Sequence, residues 1–138
     1  MKKMYLLTLL IILIIAVGFI LFSSSSDSIN QKFLESYGWR VSPDAIETEF
    51  IMIPREFDAV YSDYNKLQIE AGLDLDPYRG KRGIRYTYTV LNYPGRRYGV
   101  RANVICVKDM PVAGDIMSVE LDGFMQSLIF NATDESHE

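Results

Sequence analysis

The sequence predicts an α+β fold: an antiparallel sheet of about four strands, in the order helix, strand, helix, three strands, with helices packed on one face. A single N-terminal transmembrane helix precedes it. Three observations carry this expectation. An uncharged apolar run fills residues 5–22, one later segment places apolar residues at helical spacing, and three others alternate at the period of a strand. The chain's 138 residues leave room for one domain.

In residues 5–22, 14 of the 18 side chains are Leu, Ile, Val or Phe. At ~−0.4 kcal/mol for each in mid-membrane, insertion is favoured by about 6 kcal/mol. A rise of ~1.5 Å per residue gives a length of about 27 Å, close to the ~30 Å hydrocarbon thickness. Lys2 and Lys3 hold residues 1–4 in the cytoplasm, which places the C-terminal domain outside the cell membrane in a single pass. The competing reading is a signal sequence, cleaved to leave a secreted domain. Such a segment has an apolar core of about 7–15 residues ending in an A-x-A-like site. Here the run is longer, only Ser23-Ser24-Ser25 offers small residues, and no cysteine follows for lipid attachment. Residues 23–28 then read as a Ser-rich flexible spacer, 29–130 as the extracytoplasmic domain and 131–138 as a disordered tail.

Asp27 or Ser28 is positioned to cap a helix carrying Ile29, Phe33, Leu34 and Tyr37, which Gly38 stops. Ile46, Phe50 and Met52 alternate with Glu47 and Glu49 as a strand ending before Pro54. A helix is expected over 55–71, with Phe57, Val60, Tyr61, Tyr64, Leu67 and Gln68 as its apolar stripe and Gly72 as its stop. Pro77, Gly80 and Gly83 mark a loop. Strands follow at 84–90, 100–106 and 113–120, with Pro111 in the turn between the last two. Residues 121–130 are expected to close the domain as a short helix.

The bulk charge is −4, and without Lys2 and Lys3 the chain carries 12 basic against 18 acidic residues. That balance argues against nucleic acid as a partner. Cys106 is the only cysteine and His137, in the tail, the only histidine. A disulfide within the chain, a multi-cysteine or His-rich zinc site and a His-dependent triad therefore each lack an essential part. Cys106 sits among Val104, Ile105 and Val107, as a buried small hydrophobe does. Asp74, Asp76, Asp109, Asp115 and Asp122 are oxygen ligands of the kind Ca²⁺ takes, but the glycine and terminal glutamate of an EF-hand are missing and turn chemistry explains them. The expectation is a protein that is not an enzyme, with no catalytic residue, no metal site and no cofactor.

The best binding candidate is a basic cluster, Arg79, Lys81, Arg82, Arg85 and Arg101, in an otherwise acidic domain. Alternation puts Arg85 opposite Tyr86 and Arg101 opposite Ala102, so the two share a sheet face. Such a face suits lipid headgroups, an anionic cell-wall polymer or an acidic envelope protein. Its bland alternative is a solvated face paired with Glu47 and Glu49. Tyr86, Tyr88 and Tyr93 are expected to pack as a half-buried core, with a stacking platform for sugars or peptides as the alternative.

Further strings point to a family. They are Phe33-Leu34-x-x-Tyr37-Gly38-Trp39, Ile53-Pro54-x-x-Phe57, Tyr64-Asn65-x-Leu67-Gln68, Gly72-Leu73-Asp74-Leu75 and Tyr78-Arg79-Gly80. Arg85-Tyr86-Thr87-Tyr88, Asn92-Tyr93-Pro94, Val100-Arg101-Ala102-Asn103, Gly114-Asp115 and Leu121-Asp122-Gly123-Phe124 continue them. Over residues 31–128 the chain resembles domain-of-unknown-function family 4830, found in small, often membrane-anchored proteins of Gram-positive bacteria. The family often has two glycines before the aspartate where this chain has Ala113-Gly114. The resemblance implies a fold boundary and no chemistry. The functional expectation is a membrane-tethered interaction module of the cell envelope, with a small-ligand or peptide sensor as the alternative.

Overall fold

The computed structural model describes residues 1–130, so the tail 131–138, with His137, lies outside the described residues. The segment before residue 36 has no proline and one glycine, Gly18, and it forms a single helix, α1 (Lys2–Glu35). The serines expected as a flexible spacer are part of that helix. Serine costs only about 0.5 kcal/mol relative to alanine, and helix propagated from either side carries across a few of them. Asp27 consequently caps nothing. It accepts a hydrogen bond from the Tyr88 hydroxyl at 2.7 Å. α1 ends in a Schellman closure: Gly38, at φ 90°, donates to the Glu35 carbonyl and Trp39 to that of Leu34. The helix is long and apolar enough to cross a membrane, with a window of mean hydropathy 3.1 and none of it buried, as an anchor or a signal sequence would be.

Beyond α1 come β1 (Glu47–Met52), α2 (Ala59–Glu70), β2 (Arg82–Thr89), β3 (Val100–Val107), β4 (Met110–Ser118) and β5 (Met125–Gln126). The strands form one open antiparallel sheet in sequential order. α2 starts later than expected because the Asp58 carboxylate accepts the Tyr61 N–H at 2.8 Å and fixes the N-terminus there. Pro111 lies inside β4 and not in a turn. It faces Cys106 just past a register shift, where the ladder is already interrupted and a missing N–H does least harm. The turn itself is Lys108-Asp109, both at positive φ, as a tight two-residue hairpin requires.

The closing segment holds a strand, β5, where a helix was expected. Gly123 permits a tight turn in which an added Cβ would stand 2.5 Å from the Ser118 carbonyl oxygen. Leu128 is then fully buried in the core, with Phe130 packed against it.

The helices do not share one sheet face. On the first face, Tyr86, Tyr88, Val104 and Ile116 pack with Leu34 of α1 and with Trp39. There Asn30 donates to the Tyr88 hydroxyl at 3.0 Å and accepts from the Cys106 thiol at 3.2 Å. Burial pushes that thiol up to about 12. On the second face, Ile105, Val107 and Ala113 pack with Ile53 and Leu75, and Tyr64 of α2 reaches Asp115. α1 therefore backs one side of the sheet and α2 flanks the other.

Candidate ligand groove

The face flanked by α2 is only partly covered. Between α2 and the middle strands runs an open groove of about 900 Å³. Its floor is set by register: Thr87 of β2, Asn103 of β3 and Asp115 of β4 stand side by side across the sheet. The three form a chain of hydrogen bonds. The Thr87 hydroxyl donates to the Asn103 carbonyl oxygen at 2.7 Å, and the Asn103 amide donates to Asp115 Oδ1 at 2.9 Å. The Tyr64 hydroxyl donates to Asp115 Oδ2 at 2.8 Å, so that α2 is tied to the row. Asp115 is 2% exposed. Burial raises its carboxyl above the usual carboxylate range, although the bonds from Asn103 and Tyr64 and the Arg85 charge pull the other way. Burial, then the Asp115 charge, push the Tyr64 hydroxyl well above the usual phenol range.

Apolar side chains stand around this polar row. Ile46, Val60, Val119 and Met125 are at least half exposed, and Tyr61, Leu67 and Met117 line the groove with them. Arg85 and Arg101 also line it, together with Glu47 and Asp63. Arg85 is paired with Glu49 of the neighbouring strand. Arg101 donates to the Thr89 hydroxyl at 2.8 Å, and among the described residues no carboxylate pairs with it.

The other members of the basic cluster lie elsewhere. Arg79 pairs with Asp76 at 2.7 Å and stacks over the Phe57 ring at 3.7 Å. Arg82 is on the α1 side of the sheet, beside Phe50 and Lys108, and Lys81 is exposed next to it. Tyr86 and Tyr88 are buried in the core, while Tyr93 stacks on Trp39 at 5.7 Å. The aromatic residues of the groove are instead Tyr61 and Tyr64 of α2. Among the described residues no three His, Cys, Asp or Glu side chains gather as a metal ion would need.

Sequence reasoning placed Arg85 and Arg101 together on one face but missed the row between them. Its signal was there: Asn103 and Asp115 are polar residues in the middle of largely apolar strands, and a strand that buries a carboxylate must give it partners.

Comparison with known proteins adds a family and nothing more specific. The family described as "Domain of unknown function (DUF4830)" matches residues 33–116. No curated protein and no solved structure matches the chain.

Proposed function

The chain belongs to the DUF4830 family of domains of unknown function, and from that premise we propose a role on its geometry. The protein is a membrane-tethered, extracytoplasmic module of the bacterial cell envelope that binds, without catalysis, a peptide or small molecule with an apolar body and an acidic group. α1 is its anchor.

The groove is the observation that carries this reading. About 900 Å³ is the size of a ligand site, and half-exposed apolar walls around a few fixed polar groups are its usual lining. Covering those walls is favourable by about 25 cal/mol per Å² of apolar surface. Arg101, with the Thr89 hydroxyl as its one side-chain partner among the described residues, is the group an acidic ligand would reach. Binding is favoured over catalysis because the buried carboxylate of the groove, Asp115, is held by Asn103 and Tyr64, and among the described residues no histidine lines the groove beside Asp115, Glu47 and Asp63. An adaptor built on one arginine face has less support, since Arg82 and Arg85 lie on opposite sides of the sheet.

The test compares short apolar peptides ending in a free carboxylate with their C-terminal amides, titrated against the full chain in lipid nanodiscs. The acids should bind about tenfold tighter or more, roughly 1.4 kcal/mol. Arg101→Ala should abolish the difference. Equal binding of acids and amides, or no binding of either, contradicts the reading.

A further inference from the structure

α1 and β2 run side by side in the same direction. Ser26 lies against the Tyr86 hydroxyl, Asn30 reaches Tyr88, and the chain leaving α1 meets the far end of β2 where Arg40 bonds Leu91 and Asn92. Ser26 is four helical residues, about 6 Å, beyond the end of the apolar run at Phe22. Ile84 is two strand residues, about 7 Å, from Tyr86 in the opposite sense. Asn30 also bonds Cys106, the β3 neighbour of Ile84, so Ile84 lies within about 12 Å of the outer end of the apolar run. Arg82, two strand residues further on, comes within about 5 Å of it, which brings this end of the sheet to where the headgroups lie.

That end carries a distinct surface. On the α1 side of the sheet is a shallow depression of about 300 Å³, bordered by Phe50, Arg82, Ile84, Cys106, Lys108 and Asp109. Phe50 is 85% exposed, and Met52, the strand partner of Arg82, is 54% exposed. Among the described residues neither Arg82 nor Lys108 is in an ion pair, whereas Arg79, Arg85 and Arg96 are. Among the described residues Asp109 is the one carboxylate on the rim, and Lys81 adds a further cation beside Arg82.

We infer that this depression is a docking site for an anionic phospholipid of the bilayer that holds α1, with the phosphate between Arg82 and Lys108 and with Phe50 and Met52 entering the headgroup–acyl boundary. Exposed apolar side chains flanked by unpaired cations are the composition of an interfacial contact. The domain is then held in one orientation, with its sheet end on the membrane. The inference rests on α1 spanning that membrane.

The methionines of the full chain report on it directly. With ¹³C-methyl methionine in nanodiscs of phosphatidylglycerol and phosphatidylcholine, a headgroup-nitroxide lipid should broaden Met52 and Met110 several-fold more than Met117 and Met125 of the groove. Discs of phosphatidylcholine alone, or Arg82→Ala combined with Lys108→Ala, should remove most of that broadening. Both residues are at the surface, so an unchanged melting temperature will show that the double variant is folded. Equal broadening of Met52 and Met125, or broadening that ignores both lipid charge and the double variant, overturns the inference. Failure of the anchor reading looks different: the chain would elute apart from the discs and Met4 would not broaden.

Discussion

Asp115 sets the floor of the groove, and its chemistry makes a test of that floor. Its carboxyl is raised by burial, so the unfolded chain releases this proton at lower pH than the fold does. Stability from this group is thus full below the ordinary carboxylate range and falls as pH rises through the folded value. Asp115→Asn should flatten that slope and melt at or above the wild type at neutral pH, because an amide can still accept from Asn103 and donate to Tyr64. Asp115→Ala leaves both partners bare and should cost about 1–3 kcal/mol. Urea unfolding at acidic and neutral pH distinguishes the two. This role was hidden in the sequence for a specific reason. The partners of Asp115 are 12 and 51 residues away in the chain, so a local pattern shows an acid in a strand but not what satisfies it.

At the scale of elements, α2 is the wall of the groove and Asp58 is its cap. Asp58→Ala should destabilise the protein by about 1 kcal/mol and fray the first turn, which holds Val60 and Tyr61. Thermal melts and amide exchange of Tyr61 would read the two effects, and unchanged exchange would mean that the cap is dispensable. The central strands and α2 were legible because a period of two or of 3.6 is a local property of sequence. Several boundaries were not, the start of α2 and the turn before β4 among them, and two more have a clear cause. The serines after the apolar run have loop composition, yet no residue there breaks a helix begun on both sides. Residues 121–130 looked helical, but the space for Leu128 beneath Gly114 exists only once β4 is in place. Its Cδ1 would stand 3.0 Å from a Cβ there, so an extended chain is selected by packing and not by propensity.

The whole molecule is a sheet with unlike sides. One is packed by the end of α1 and by Trp39, and the other carries the groove. Period-two alternation told which residues share a face, but not which helix would cover it, and the open side appears only when α1 and α2 take opposite ones. α1 and the groove are thereby separated by the thickness of the sheet, so a molecule in the groove would not displace α1. Met117 and Met125 line that groove, while Met52 lies on the α1 side of the sheet beside Arg82. The most direct test is a titration of ¹³C-methyl methionine full chain, in nanodiscs, with short apolar peptides bearing a free C-terminal carboxylate. Saturable shifts of Met117 and Met125, with Met52 unmoved and the response lost in Arg101→Ala, are the predicted result. Met117 and Met125 silent across the peptides, or all methionines moving together, would contradict the claim that the groove is the binding site.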